Sequence, residues 1–186
     1  MRIETTPIAG LLVIEPKRFG DERGVFTETF RADALAAPGF TNIFVQDNCA
    51  RSEAAGVVRG MHFQRGEAAQ DKLIRVSKGA IFDVAVDLRS GSATFGWSYS
   101  VELSAKNWMQ LLVPRGFAHG YQTLTPDAEV LYKASAPYAP AAEGGIVWDD
   151  PALGIDWPID AADAHLNARD RAWPTLAQWV ADGGSA

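Results

Sequence analysis

Residues 80–88 read Ala80-Ile81-Phe82-Asp83-Val84-Ala85-Val86-Asp87-Leu88. Phe82, Val84, Val86 and Leu88 alternate onto one face and Asp83 and Asp87 onto the other, which is the period-two pattern of a β-strand. The same pattern recurs on both sides of this run. Residues 97–103 put Trp97, Tyr99, Val101 and Leu103 on one face, and Lys72–Val76, Met109–Val113 and Glu129–Lys133 read as further short strands. Turn signals separate them: Lys78-Gly79, Ser90-Gly91-Ser92, Pro114-Arg115-Gly116 and Thr125-Pro126-Asp127. Gly, Pro, Asp and Ser there supply backbone conformations and local hydrogen bonds that a strand does not use. Short strands joined closely by tight turns predict an all-β chain folded as an antiparallel sandwich or barrel.

Helix signals are few. Residues 31–37 read as about two turns, and a short helix follows Asp170, with Pro174 near its first turn. The segment 138–165 carries Pro140, Gly144, Gly145, Pro151, Gly154 and Pro158 and reads as loop laid across one end of the β core. No repeat or linker divides the chain, so residues 1–186 form one domain with a tail, 165–186, that carries the short helix. The tryptophans read as core or interface anchors, with Trp148 and Trp157 pinning the loop onto the β core.

Composition excludes several classes. The net charge is -6 with no basic block, so a nucleic-acid partner is not expected, because phosphate contacts need clustered Lys and Arg. Cys49 is the single cysteine; it forms no intrachain disulfide and reads as a small, partly buried side chain. No signal-like segment opens the sequence and no apolar run approaches membrane-spanning length, so the expectation is a cytoplasmic protein with no membrane partner.

The three histidines organise the chemistry. His165 lies in a loop and reads as solvent-facing. His62 sits in Arg59-Gly60-Met61-His62-Phe63-Gln64, and His119 in Pro114-Arg115-Gly116-Phe117-Ala118-His119-Gly120. The P-x-G-x-x-H spacing resembles the second half of the cupin signature, and cupins are double-stranded β-helix or jelly-roll proteins. Many bind a metal through an H-x-H pair and a carboxylate. Here His62 stands without that second histidine, so no metal is expected, since such sites need three or four converging ligands. A His, a Tyr and a Lys do suit proton transfer beside a carbonyl. One base removes a proton, a cation meets the enolate, and an acid returns a proton on the opposite face. His, with an ordinary pKa of about 6.5, can be the base, and Tyr, at about 10, the acid.

Longer runs extend the likeness. Asp21–Phe30, Gln46-Asp47-Asn48, Gly56–Gln64, Lys72–Val76, Asp83–Arg89, Thr94-Phe95-Gly96, Leu103-Ser104-Ala105, Pro114–Gly120, Tyr132-Lys133 and Ile146–Pro158 follow in order. In them the chain resembles the dTDP-4-dehydrorhamnose 3,5-epimerase family, the RmlC-type cupins, over nearly its full length. The resemblance implies a cupin jelly roll with short peripheral helices. It also implies epimerisation at C3 and C5 of a dTDP-4-keto-6-deoxyhexose, with no cofactor because the ketone already acidifies both C–H bonds. By the same resemblance His62 is the base, Asp170 its carboxylate partner, Tyr132 the acid and Lys72 the enolate stabiliser. Arg23, Phe26, Glu28, Gln46, Asn48, Arg59, His119, Tyr138 and Glu143 fall at substrate-binding positions, with Arg59 and Arg23 suited to the diphosphate and Tyr138 to the thymine. A homodimer is implied, with N-terminal strands of residues 1–30 packing across subunits and some of those residues serving the neighbour's site.

Some positions depart from the family pattern. Asp71 replaces the usual Gly before the active-site Lys, Pro137-Tyr138 replaces a Tyr-Tyr pair, Cys49-Ala50 replaces His-Ser, and Asn167-Ala168-Arg169-Asp170 replaces Ser-x-Lys-Asp. Two other functions suit the same residues: a mono-epimerase acting at C3 or C5 alone, and a non-catalytic nucleotide-sugar-binding cupin. The latter has no need of a His–Asp pair opposed by a Tyr. Strand parity sets a condition on the site. Arg59 and His62 are three apart, so an ideal strand points them to opposite faces. One cavity holds both only if Gly60 bends or bulges the strand, or if one of them acts at its end.

Overall fold

In the computed structural model, which describes residues 1–184, the alternating run forms strand β8 (Ala80–Asp87). It is hydrogen-bonded on one side to β9 (Ser98–Ser104) and on the other to β11 (Phe117–Thr123). β6 (Val58–Gln64) and β13 (Glu143–Gly145) complete a five-stranded sheet in the order β13-β6-β11-β8-β9. The second sheet has six strands. These are β1 (Arg2–Thr5), β2 (Leu12–Glu15), β10 (Gln110–Val113), β7 (Lys72–Lys78), β12 (Ala128–Ala134) and β5 (Gln46–Ser52), in the order β1-β2-β10-β7-β12-β5. Every strand pair within these sheets is antiparallel. The two sheets face each other as an all-β cupin jelly roll, as expected from the sequence.

Three apolar layers result. Between the sheets, Ile74, Val76, Leu111 and Val113 meet Ile81, Ala85, Leu103 and Phe117. On the outer face of the five-stranded sheet, Val84, Val86 and Leu88 pack with Met61 and Phe63 against Ile146, Trp148, Leu153 and Trp179. On the outer face of the six-stranded sheet, Leu12, Ile14, Leu73 and Leu112 are covered by Leu35 of the short helix α1 (Ala32–Ala36) and by Phe30, Phe40 and Phe44. Strand β8 is therefore buried on both faces. Each aliphatic side chain it removes from water contributes about 1.5–3 kcal/mol, which helps offset the burial of Asp83 and Asp87 in the same strand. Asp87 is met by Arg89 through Nε and Nη2 at 2.8 Å each and by the hydroxyls of Ser92 and Thr94.

The structure redraws three expectations. From Ile146 onward the 138–165 segment lies over the outer face of the five-stranded sheet, not across one end, because Ile146, Trp148 and Leu153 find their apolar partners there, while its first part supplies edge strand β13. Trp148 and Trp157 do pin it: their rings are 5.2 Å apart, and the Trp157 indole donates to the Trp148 carbonyl at 3.0 Å. Cys49 is exposed, because β5 is an edge strand whose odd-numbered residues face outward. Trp97 is also exposed, at the start of β9, and anchors no core. The tail carries two short helices, α2 (Ala168–Arg171) and α3 (Leu176–Ala181). Pro174 stands just before the Thr175 N-cap of α3.

β1 and β2 belong to the chain's own sheet, through β10. The next strands, β3 (Arg18–Asp21) and β4 (Gly24–Thr27), form a separate two-stranded hairpin. It presents Phe19, Val25 and Phe26 to the outside, Phe26 being 70% exposed.

Candidate active site

The site opens between the sheets, where polar side chains interrupt the inner apolar layer. From the six-stranded sheet come Gln46, Asn48 and Ala50 on β5, Lys72 on β7 and Tyr132 on β12. From the five-stranded sheet come Arg59 and His62 on β6, His119 and Tyr121 on β11 and Glu143 on β13. They line one cavity of about 510 Å³, closed on a third side by Asn167, Arg169 and Asp170 of the tail.

The parity condition is met by a bulge. His119 pairs with His62 and Tyr121 with Arg59, so two steps along β11 match three along β6, and Gly60 is the extra residue. Val58, Met61 and Phe63 face the outer layer, while Arg59 and His62 both face the cavity. Gly60 has φ +142°, and a Cβ there would stand 2.5 Å from the Gly120 Cα. Only glycine fits that backbone and that approach.

His62 directs Nε2 to Asp170 Oδ1 at 2.8 Å. An ionised carboxylate only accepts, so Nε2 carries the proton and Nδ1 is left as the free basic nitrogen. Asp170 lies in the first turn of α2. Asn167 caps that helix by accepting from the Asp170 backbone N–H at 2.7 Å. Burial alone would raise the Asp170 pKa. The hydrogen bond and charge of His62, the Gly60 N–H at 3.3 Å and nearby Arg169 outweigh it and hold the carboxyl below its ordinary value. The edge of the His62 ring meets Trp173, with centroids 6.2 Å apart.

Tyr132 faces His62 from the opposite sheet. Burial pushes its pKa up, against an opposing pull from Arg59, so the phenol keeps its proton. Lys72 is the first residue of β7, and burial lowers its pKa to about 8, against the countering charges of Asp83 and Glu143. His119 mirrors His62, with Nε2 2.8 Å from Oδ1 of Asp83. Toward the mouth, the Tyr138 hydroxyl donates to Glu143 Oε2 at 3.2 Å, and Arg169 Nη1 reaches the same oxygen at 2.8 Å. Arg59 lines the cavity from β6, half-held by Ser52 Oγ and the Arg51 carbonyl.

Ten of the residues singled out from sequence thus converge: Gln46, Asn48, Arg59, His62, Lys72, His119, Tyr132, Tyr138, Glu143 and Asp170. Arg23, Phe26 and Glu28 do not. Arg23 sits at the tip of the β3–β4 hairpin, paired to Asp21 at 2.6 Å, Phe26 is on β4, and exposed Glu28 leans toward Arg31. Sequence reasoning gave no role to Gln70 and Tyr121 on the wall or to Asp83 behind it, and noted Asn167 and Arg169 only as departures from the family pattern beside Asp170. Asp83 carried a signal of its own, an acidic residue in a run of apolar neighbours. Among the described residues no three His, Cys, Asp or Glu side chains converge as a metal centre.

Comparison with known proteins places this arrangement. A family model described as dTDP-4-dehydrorhamnose 3,5-epimerase matches residues 5–178. A dTDP-4-dehydrorhamnose 3,5-epimerase of Salmonella typhimurium (strain LT2) is 49% identical over 179 residues, 96% of this chain and 97% of that protein. The crystal structure of a dTDP-6-deoxy-D-glucose-3,5-epimerase from Legionella pneumophila Philadelphia 1, in complex with dTDP-4-keto-L-rhamnose, matches with a TM-score of 0.91. Its sequence identity is 44%, over 97% of this chain and 95% of that one. A 3'-monoepimerase from Streptomyces bikiniensis in complex with dTDP-quinovose gives a TM-score of 0.89 at 35% identity, over 96% and 89%. Backbone shape therefore does not separate double from single epimerases, while identity is higher to the two 3,5-epimerases.

Proposed function

Because the chain belongs to the dTDP-4-dehydrorhamnose 3,5-epimerase family and is an isomerase that epimerises a dTDP-4-keto-6-deoxyhexose at C3 and C5, we propose that His62 is its base, Tyr132 its acid and Lys72 its enolate stabiliser. His62 Nδ1 takes the proton from the carbon beside the C4 ketone, and the C–H electron pair moves into the enolate. The negative charge grows on the C4 oxygen, where the Lys72 ammonium meets it. A donor so placed is worth about 10²–10³ in rate. The Tyr132 O–H then returns a proton to the opposite face, and exchange with water resets both groups. Asp170 keeps Nε2 protonated and steadies the imidazolium as it forms.

The observation that carries this reading is that His62 and Tyr132 project from opposite sheets into one cavity. Facing sheets lie about 10 Å apart, the room a sugar ring needs between a base and an acid. Both acidic carbons flank the same ketone, so one His–Tyr pair serves each in turn. Tyr138 at the mouth is placed to stack on the thymine, Gln46, Asn48, His119 and Glu143 bind the sugar and nucleotide polar groups, and Arg59 binds the diphosphate.

The working unit is a homodimer. The exposed face of the β3–β4 hairpin and the apolar Ile43 and Val45 beside edge strand β5, 78% and 58% exposed, support this, since apolar patches of this kind mark interaction surfaces. In it Arg23, Phe26 and Glu28 serve the partner's cavity. A cytoplasmic compartment is part of the same proposal, supported by the sugar-nucleotide chemistry of the family; among the described residues no helix is long and apolar enough to cross a membrane. The test is Tyr132→Phe with the dTDP-4-keto sugar in deuterated water, followed by NMR. Deuterium still enters C3 and C5, but inverted product falls by at least about 10²-fold. Unaltered inversion removes Tyr132 as the acid.

A further inference from the structure

Asp83 is a charged group behind the cavity wall to which the roles above give no part. It is fully buried, mid-strand in β8, opposite Tyr121 of β11 and Val101 of β9. A carboxylate taken out of water is costly unless its oxygens are met. Oδ1 is met by His119 Nε2 at 2.8 Å, but Oδ2 has no hydrogen-bond partner among the described residues. Compare Asp87, four residues on in the same strand, which gathers Arg89, Ser92 and Thr94. The two carboxylates of β8 thus differ: Asp87 is fully met, and Asp83 has one oxygen without a partner among the described residues, a feature that asks for an explanation.

The surroundings say what it acts on. The titratable and charged groups on this wall are His119 and Tyr121 from β11, Lys72 from β7, Tyr132 from β12, His62 and Arg59 from β6, Glu143 from β13 and Arg169 with Asp170 from the tail. Tyr121 has a buried, unpartnered hydroxyl, and burial holds its pKa up, with Asp83 adding to the rise against Arg59. It therefore offers Asp83 no cation. Arg59 and Arg169 are occupied elsewhere, on Ser52 and on Glu143. Lys72 remains. Its ammonium makes no hydrogen bond or ion pair among the described residues, and Asp83 and Glu143 are the anions that favour its charged form. Glu143 already receives Tyr138 and Arg169.

We propose that Asp83 is a positioning residue of the epimerisation site, which from behind the cavity wall fixes the His119 ring with Nε2–H toward itself and Nδ1 toward the substrate, and supplies the buried counter-charge that keeps Lys72 cationic. This rests on the roles proposed above for Lys72 and His119. Asp83 touches no substrate. It acts through two neighbours, one held by a hydrogen bond and one by charge, and the bare Oδ2 is the end aimed at no fixed donor. An imidazole held this way cannot flip its tautomer while substrate is bound, because Nε2–H would lose its acceptor.

The test separates this claim from the catalytic roles. Lysine 13Cε NMR reads the Lys72 titration directly, its resonance identified by its absence in Lys72→Arg. In the unaltered protein the amine titrates near pH 8. In Asp83→Asn, which keeps the shape and removes the charge, it titrates lower by about one pH unit or more. An unmoved titration in a folded Asp83→Asn protein overturns the proposal. The alkaline limb of kcat moves down with the amine. A shifted amine with an unshifted limb upholds Asp83 as its counter-charge and refutes Lys72 as the enolate stabiliser. The ring is read in the unaltered protein, where no folding question arises: 15N NMR is expected to show His119 protonated at Nε2 from pH 6 to 8, and an Nδ1–H neutral ring overturns the proposal.

Discussion

His62 and His119 are cross-strand neighbours on β6 and β11, and each gives Nε2 to a carboxylate at 2.8 Å. The carboxylates differ. Asp170 arrives from a helix of the tail and has both oxygens engaged, by His62 and by the Gly60 N–H, with Arg169 at 3.5 Å. Asp83 comes from the interior strand β8 and has one oxygen without a hydrogen-bond partner among the described residues. His62 keeps 21% of its side chain accessible and His119 keeps 9%. A group that must gain and lose a proton each turnover needs an anion already stabilised beside it and a way to solvent. The His62 pair has both. The His119 pair, closed in the sheet, suits a fixed donor and acceptor pattern. On the roles proposed above, the same two residue types at the same distance serve proton transfer in one place and orientation in the other, and what separates them is how the carboxylate is solvated.

Removing the acceptor from each pair tests that difference. For Asp170→Ala the expected loss is about 10²–10⁴-fold in kcat, with dTDP binding by calorimetry nearly unchanged, because His62 loses its tautomer control while the diphosphate and base contacts remain. A fall confined to KM would erase the distinction between the pairs. Lys72→Met comes next, with about 10²–10³-fold lost from kcat. It also carries a pH signature. The ammonium is charged below its pKa of about 8, so activity in the unaltered enzyme declines as pH rises through that value. In Lys72→Met this alkaline limb disappears from the kcat profile; a limb that persists belongs to another group. The smallest expected effect is Gly60→Ala. Its new Cβ meets the Gly120 backbone at 2.5 Å, and overpacking of this kind costs about 1–3 kcal/mol, read as a lower Tm. Full stability in that variant would mean that the bulge does not set His62 against His119.

The fold was legible because it rests on local alternation. Residues 80–88 declare a strand, and the glycine and proline turns cut the chain at the right places. What alternation could not say is which side of a strand would be wet. Asp83 and Asp87 looked like a polar face, but the 138–165 segment covers the other side of β8, and both carboxylates lie inside. Cys49 looked partly buried because its strand neighbours were not yet known; as the edge of the sheet, β5 leaves it exposed. In the site, His62, Tyr132, Lys72 and Asp170 were legible through motifs, although His62 and Asp170 meet across 108 residues of sequence. Gln70 carried no signal, and Arg169 only its place beside Asp170, because an ordinary polar residue becomes part of a cavity wall only through the fold. Arg23, Phe26 and Glu28 lie on and beside a hairpin that this chain's own cavity does not receive.

His62 is proposed to remove the proton at both carbons. That role is tested most directly by incubating His62→Ala with the dTDP-4-keto-6-deoxyhexose in deuterated water and following C3 and C5 by NMR, with dTDP binding measured in parallel. No deuterium is expected at either carbon, with dTDP affinity close to that of the unaltered protein. Deuterium entering either carbon at the unaltered rate would contradict it and move the base to another residue.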